Sequence, residues 1–170
     1  NNANQYDAVM QDMKLTSLLS LLGVLALISL YFRQVLSSVL VAIPLLMSLT
    51  WTFGLTYLVI GNLNQITVGL FAILFGLGID YGIHVFARYR EARRRGLEVE
   101  AALEETVQQT GTSLTTSGLT TSAAFFSMMT ADFRGFFEFG FIVGVGIIFS
   151  LVAMIIVCPA FIVLAERWGL

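Results

Sequence analysis

A carboxylate and an imidazole lie inside a long apolar segment of this chain. Gly76, Asp80 and His84 follow one another at steps of four residues, so they share one face of a helix. An ionised aspartate near the centre of a bilayer costs roughly 2.5–3.5 kcal/mol. Asp80 is therefore expected to serve either as a hydrogen-bonding anchor or as a site that takes up and releases a proton. We favour the proton site, because so costly a residue is a poor choice for an anchor alone.

Neighbouring polar residues could assist such a site. His84 lies one turn from Asp80, and an imidazole can accept and donate a proton near neutral pH, although it could equally be a packing residue. Tyr81 points to another face of the helix and could meet a carboxylate on a different helix. A broad stripe of hydroxyls in the span 112–131 could solvate Asp80, or could only bond to carbonyls of its own helix. The stripe comprises Ser113, Thr116, Ser117, Thr120 and Ser127. The predicted proton relay consists of Asp80, Tyr81, His84, Thr116 and Thr120.

Glycines within the apolar segments indicate close helix packing. A helix that presents glycine to a neighbour lets the two backbones approach, which is the usual packing mode in membranes. The predicted packing positions are Gly76, Gly78, Gly82, Gly140 and Gly144.

Catalysis, metals and nucleic acid have no support in the sequence. One histidine and one carboxylate fall short of a metal-ligand set. We find no nucleophile–base pair and no phosphate-binding loop, so we predict neither an enzyme nor a cofactor. The main basic cluster borders an apolar segment, and this position favours a membrane-topology signal over a nucleic-acid site.

The composition is that of an integral membrane protein. Of 170 residues, 57% are hydrophobic and only 12% are charged, and the mean hydropathy is +0.85. A soluble domain is closer to half apolar, with about a quarter of its residues charged. We predict an all-α polytopic membrane bundle of five transmembrane helices with one amphipathic cytoplasmic helix.

Apolar windows of about 20 residues define the predicted spans. A polar segment, 1–14, is interpreted as a linker or the end of an extracytoplasmic region, and the transmembrane domain as 15–168. The spans are predicted at about 15–32, 35–60, 66–87, 112–131 and 140–165.

The stretch 97–110 differs from the spans because its apolar residues recur every four positions among glutamates. It predicts an amphipathic helix on the membrane surface, or an ordinary connecting helix. The span 112–131 is rich in serine and threonine, so we expect other helices to surround it. Asp132, Arg134 and Glu138 are predicted to form a solvated turn at its outer end.

Basic residues are distributed unequally between the two predicted sides of the membrane. One side holds seven of the nine, mostly within 88–95, and the other holds Lys14 and Arg134. The positive-inside rule then places the N-terminus outside and the C-terminus in the cytoplasm. An outside N-terminus without a signal peptide leads us to expect a further membrane segment upstream.

Several motifs resemble the resistance–nodulation–division (RND) superfamily, and its MmpL-type and hopanoid-exporter-like (MMPL) branch most closely. The run from Gly76 to His84, with Asp80-Tyr81 at its centre, resembles that family's fourth transmembrane helix. Ser117-Gly-Leu-Thr-Thr121 resembles part of the fifth helix. The stretch 133–140 resembles the turn into the sixth.

The resemblance implies an RND-like fold, related to sterol-sensing domains, in which this chain supplies helices two to six of one half. It implies export of lipids or other hydrophobic substrates driven by protons, in a bacterial-type inner membrane. Asp80 would carry the proton, and Tyr81 would partner the equivalent aspartate of the other half. The first helix, the external domain and the second half are the expected partners, together with membrane lipids; self-association into a homo-oligomer is the alternative.

Other classes stay open at this point. A sterol-sensing-type regulatory domain would bind lipid without needing a titrating carboxylate. A translocation accessory of the SecD/SecF type also carries an aspartate in its fourth helix. A purely structural helix bundle is the remaining alternative. Asp80-Tyr81-Gly82 and the arginine-rich tail favour the exporter.

Overall fold

The computed structural model describes residues 35–61 and 65–167, together with the isolated positions 15, 18, 19, 22, 23 and 26. The predicted linker 1–14 and most of the predicted span 15–32 lie outside these residues. The described part is all-α. Its helices are α1 (Val35–Ile60), α2 (Gln65–Arg94), α3 (Val99–Ser127), α4 (Arg134–Val152) and α5 (Cys158–Arg167), with a 3₁₀ turn at Met128–Thr130 and a π-helical turn at Ala153–Val157.

Helix α1 runs without interruption through Pro44. The inner face of this helix carries hydroxyls, and each donates to a carbonyl of the preceding turn: Ser48 to Leu45, Thr52 to Ser48 and Thr56 to Thr52, all over 2.7 Å. Buried hydroxyls are stable only with such partners. The predicted range 35–60 is the range observed for this helix.

Helix α2 continues past the predicted end of its span, through the arginine-rich stretch to Arg94. Arginine, glutamate and alanine are good helix formers, so nothing stops the helix before Gly96. There the backbone turns into the left-handed region at a φ of 86°. The amide of Gly96 donates to the carbonyl of Arg93, and that of Leu97 to Ala92, which is the Schellman arrangement that glycine favours.

Helix α3 corrects one prediction. A surface helix at 97–110 and a separate span at 112–131 were expected, but a single helix of 29 residues covers most of both ranges. Gly111 lies at the expected boundary without breaking the helix. An isolated glycine costs only about 1 kcal/mol in a helix interior, and this segment has no proline. The helix ends in the 3₁₀ turn at Met128–Thr130.

The last predicted span is a helical segment with a widened turn. Helix α4 starts at Arg134, earlier than predicted, and α5 ends at Arg167. Between them the amide of Cys158 donates to the carbonyl of Ala153, five residues back. Pro159 follows at once, and a proline has no amide hydrogen and crowds the carbonyl four residues before it. The wider turn gives that ring room, so we attribute the π turn to Pro159.

Helix α4 is the central element and contacts α1, α2 and α3. Its side chains Val143 and Ile147 are fully buried, beside Leu45 of α1 and Leu74 of α2 in the apolar core. Glycines make this packing possible. A Cβ on Gly144 would lie 2.5 Å from the ring of Phe126 on α3, and one on Gly146 would collide with Leu74.

Two helices of the described part are long and apolar enough to cross a membrane, Val39–Ile60 and Arg134–Arg167. The other three predicted spans stay predictions. Helix α2 is long enough at 30 residues, but its polar face and arginine tail lower its hydropathy. Its placement in the membrane depends on cover from neighbouring helices.

Candidate functional site

A cleft of about 330 Å³ separates α2 from α3 and contains the residues that the sequence singled out. Asp80, Tyr81 and His84 line it from α2, beside the apolar Leu77. From α3 it is lined by the apolar Leu114 and by four hydroxyl residues, Thr110, Ser113, Ser117 and Thr121. A carboxylate, an imidazole and several hydroxyls thus share one open, partly polar space.

Glycines on the face of α2 opposite the cleft allow neighbouring helices to pack closely against it. A Cβ on Gly78 would lie 2.5 Å from Leu45 Cδ1 and 2.9 Å from the hydroxyl of Ser150. One on Gly82 would collide with Val41 and lie 3.1 Å from the sulfur of Met154. The backbone of α2 therefore sits directly against α1 and the α4–α5 segment, and its other face is left toward the cleft.

Gly76 behaves differently from the other predicted packing glycines. No described atom lies within 4 Å of the position of a Cβ on this residue. Gly76 belongs to the row of Asp80 and His84, which faces the cleft, and the packing glycines are offset from that row by two residues. Gly140 and Gly144 do lie against α3: a Cβ on Gly140 would collide with the carbonyl oxygen of Phe125.

Asp80 and His84 are exposed within the described part of the chain, where neither side chain makes a hydrogen bond. Tyr81 is buried, and its hydroxyl lies 3.2 Å from the place of a Cβ on Gly118. Gly118 thus makes the space into which the Tyr81 hydroxyl fits. Gly118 was not among the predicted packing residues, although the Ser117-Gly118 pair in a hydroxyl-rich helix could have signalled it.

The two predicted relay threonines lie away from the cleft. Thr116 donates to the carbonyl of Thr112 and Thr120 to that of Thr116, and neither lines the cleft. The cleft is lined instead by Ser113, Ser117 and Thr121. One residue is a rotation of about 100° around an α-helix, so choosing 116 and 120 instead of 117 and 121 selects a different face.

An ion-pair cluster closes the end of the α2–α3 pair nearest their connecting turn. Arg88 contacts Glu91 at 2.6 Å and Glu105 at 3.3 Å, and it also donates to Gln109. Arg95 pairs with the same Glu105. The hydrogen bond from Arg95 is the main cause that lowers the pKa of Glu105, and the nearby positive charges add to it. Glu105 therefore stays ionised at neutral pH.

At the opposite end of α3, Glu138 is buried, contrary to the prediction. The turn with Asp132 is exposed, as predicted, but Glu138 is only 7% exposed. Its carboxylate accepts a hydrogen bond from Arg134 Nε over 2.7 Å, and the arginine side chain is itself largely in solvent. The expected solvated turn thus covers Asp132 and Arg134 but not Glu138, which lies on the inward face of the first turns of α4.

The described residues offer neither a metal-binding group nor an accessible thiol. Among the described residues, no three histidine, cysteine or acidic side chains come together in a way that could hold a metal ion. Cys158 is fully buried and unpaired.

The sequence is similar to those of known membrane proteins. The MMPL family profile matches residues 1–170. A putative membrane protein of Methanocaldococcus jannaschii is 35% identical over 92% of the chain and 40% of its own length. The hopanoid transporter HpnN of Burkholderia multivorans is 29% identical over 92% of the chain, and the probable transport protein MmpL9 of Mycobacterium tuberculosis is 29% identical over 99%; the chain spans 18% of each.

The family match covers the whole chain, and the relatives align over nearly all of it. The motif with Asp80-Tyr81, the helical architecture and the two membrane-spanning candidates agree with it. Nothing in the family or the site indicates an enzyme. The chain belongs to the MMPL family of membrane transporters, within the RND superfamily.

Proposed function

We propose that this chain forms part of the membrane-embedded machinery of a proton-driven exporter, with Asp80 as the residue that carries the proton. The observation that carries the proposal is the cleft itself, where the Asp80 carboxylate lies beside His84 and a row of hydroxyls and, among the described residues, has no arginine or lysine partner. A carboxylate with a fixed cationic partner would stay ionised. One beside hydroxyls can change its charge.

Its substrates are proposed to be lipids or other hydrophobic molecules. The support is the name of one relative, a hopanoid transporter, together with membership of a transporter family. The chain spans 18% to 40% of the relatives compared, so substrate selection is assigned to the whole parent protein.

The proposal includes an orientation. The arginine-rich end of α2 would lie in the cytoplasm with the C-terminus, because the basic residues concentrate on that side. Asp80 then lies between the two surfaces, with His84 one turn nearer the cytoplasm. Tyr81 would support the aspartate that the other half of the transporter supplies.

The test is proton flux by the intact parent protein in proteoliposomes, with an entrapped pH-sensitive dye and a hopanoid as substrate. Asp80→Asn keeps the shape and the hydrogen-bonding capacity but cannot titrate. We expect it to abolish substrate-dependent proton flux, while Asp132→Asn, in the exposed turn at the far end of α3, retains it. Undiminished flux in Asp80→Asn at normal folding would contradict the proposal and favour an anchoring or lipid-sensing role.

A further inference from the structure

Two rows of polar side chains face each other along α2 and α3. Each row advances by four residues, which keeps it on one face of its helix. On α2 the row is Asp80, His84 and Arg88; on α3 it is Glu105, Gln109, Ser113, Ser117 and Thr121. Only part of this double row lines the cleft: Asp80 and His84 on α2, and Ser113, Ser117 and Thr121 on α3.

The ion pairs fix how the two rows align. Arg88 bonds to Glu105 and Gln109, and the two helices run in opposite directions from their connecting turn. Moving four residues along each helix brings His84 level with Ser113, and four more bring Asp80 level with Ser117. The closeness of Tyr81 to Gly118 agrees with this alignment. Polar groups thus continue from Asp80 to the end of the helix pair.

Hydroxyls inside the cleft are available to water. Ser113 and Ser117 make no side-chain hydrogen bond with any described residue, whereas Thr116 and Thr120, on the neighbouring face, are satisfied by their own helix. A polar space of about 330 Å³ has room for several waters, each of which takes roughly 30 Å³ in the liquid. Serines with unused bonding capacity are the groups that would hold such waters in a row.

Arg88 and Glu105 stand across the continuation of this space. Their side chains are 27% and 21% exposed, so the pair is largely covered. The Nε–H of Arg88 is buried without an acceptor in the described part of the chain, so a water molecule would be its natural partner. Glu105 is held ionised by Arg95, which makes it a fixed countercharge for Arg88 rather than a proton carrier.

We propose that the double row lines a water-filled path through which Asp80 exchanges protons with the membrane side that holds the 95–98 turn, and that the Arg88–Glu105 pair closes it. The inference rests on the function proposed above, because it assigns a route to the proton of Asp80. Arg88 and Glu105 are positioning residues in this path. They control access and do not carry the proton.

Cysteine accessibility tests the path without measuring transport. In the intact parent protein, with Cys158 and any other native cysteine replaced by alanine, Ser113→Cys and Ser117→Cys are treated with a membrane-impermeant methanethiosulfonate. The reagent is applied separately to inside-out and right-side-out vesicles. We expect both cysteines to react from the side of the 95–98 turn, several-fold faster when Glu105→Gln is added. A thiol reacts as its thiolate, which forms only where water reaches it.

Two matched controls belong to the experiment. Leu119→Cys is at an exposed position two residues, or about 200° around the same helix, from Ser117, away from the cleft, and should stay unmodified. Glu104→Gln removes a neighbouring charge whose described partner is Gln108, off the path, and should not accelerate the reaction. Arg88→Gln opens the same pair from the other helix, so it replaces Glu105→Gln if that variant does not fold.

Modification from the opposite side only, rates no higher than at Leu119→Cys, or equal rates with Glu105→Gln and Glu104→Gln would each overturn the inference. The labelling result does not depend on whether Asp80 couples transport to protons. A coupled transporter with unreactive serines would refute the path alone. A reactive path with undiminished proton flux in Asp80→Asn would refute the proposed function alone.

Discussion

The carboxylate of Glu166 accepts a hydrogen bond from the hydroxyl of Tyr89 over 2.8 Å. Arg93 lies 3.8 Å from the same carboxylate, so Glu166 holds two residues of α2. This connection joins the last turn of α5 to the helix that carries Asp80. Movement of one helix relative to the other must break or stretch it.

Tyr89 predicts a dependence of stability on alkaline pH. Burial, and then the hydrogen bond to Glu166, raises the pKa of Tyr89 to about 12. Below the ordinary tyrosine pKa of about 10 the contribution of Tyr89 is constant. Between about 10 and about 12 the unfolded chain releases this proton while the folded one keeps it, so the free energy of unfolding falls as the pH rises. Unfolding in detergent across this range should show a smaller fall for Tyr89→Phe.

The matched control is Tyr57→Phe, because Tyr57 is 62% exposed. Equal slopes for Tyr89→Phe and the wild type would show that the pKa of Tyr89 is not raised in the folded state.

Two glycines of α2 should respond oppositely to alanine. A methyl group on Gly82 would collide with Val41, a buried and stiff β-branched side chain, so Gly82→Ala should lower stability by about 1–3 kcal/mol. A methyl group on Gly76 meets no described atom within 4 Å, and Gly76→Ala should be neutral or stabilising by about 0.5–1 kcal/mol. Thermal unfolding of both variants in one detergent measures the difference. A Gly82→Ala variant as stable as Gly76→Ala would refute the close packing of α2.

A single hydroxyl links α3 to α4. Ser122 is buried and donates to the carbonyl of Gly144 over 2.8 Å. Ser122→Ala should cost about 0.6 kcal/mol, the average for hydrogen bonds between membrane helices. Ser127→Ala is the control, since that hydroxyl is exposed and bonds to Ala124 of its own helix. Chemical unfolding should separate the two variants, and a larger loss for Ser127→Ala would contradict the interhelical assignment.

Gly118 should matter to transport more than to folding. A methyl group at this position would lie 3.2 Å from the Tyr81 hydroxyl and from Leu151, so these side chains must shift by a few tenths of an ångström. We expect Gly118→Ala to reduce proton-coupled transport with a small change in stability. At Gly111 of the same helix a methyl group meets only an ordinary contact with Val107 at 3.8 Å, and Gly111→Ala should transport normally. Equal activity of the two variants would remove Tyr81 from the mechanism.

Much of the fold was legible in the sequence because helices in a membrane need long apolar runs. The predicted helix at 35–60 is observed, and the grouped residues Asp80, Tyr81 and His84 line one cleft. Helix ends were less legible. The boundary near Gly111 was inferred from a change in composition, but composition changes where a helix leaves the membrane, and the backbone need not change there.

The choice of hydroxyls failed for a different reason. Nine of the 17 residues of α3 after Thr110 carry a hydroxyl, so many stripes are possible and propensity cannot select one. Selection requires the alignment of α3 with α2, and that alignment depends on the contacts of Arg88 with Glu105 and Gln109. Both rows step by four residues, and matching them in opposite directions would have selected Ser113 and Ser117 from the predicted stripe. The burial of Glu138 was not predicted either, because it depends on how closely α3 approaches α4.

The tight turn after Arg94 bears on how this protein enters a bilayer. Only four residues separate α2 from α3, and the Schellman turn at Gly96 fixes their reversal. A lone helix with Asp80 would meet lipid with its carboxylate bare, at the cost given above. Because the turn returns the chain at once, the serines of α3 reach the membrane together with that carboxylate. We therefore predict that the hairpin inserts as a unit, and that lengthening its turn impairs biogenesis before it impairs transport.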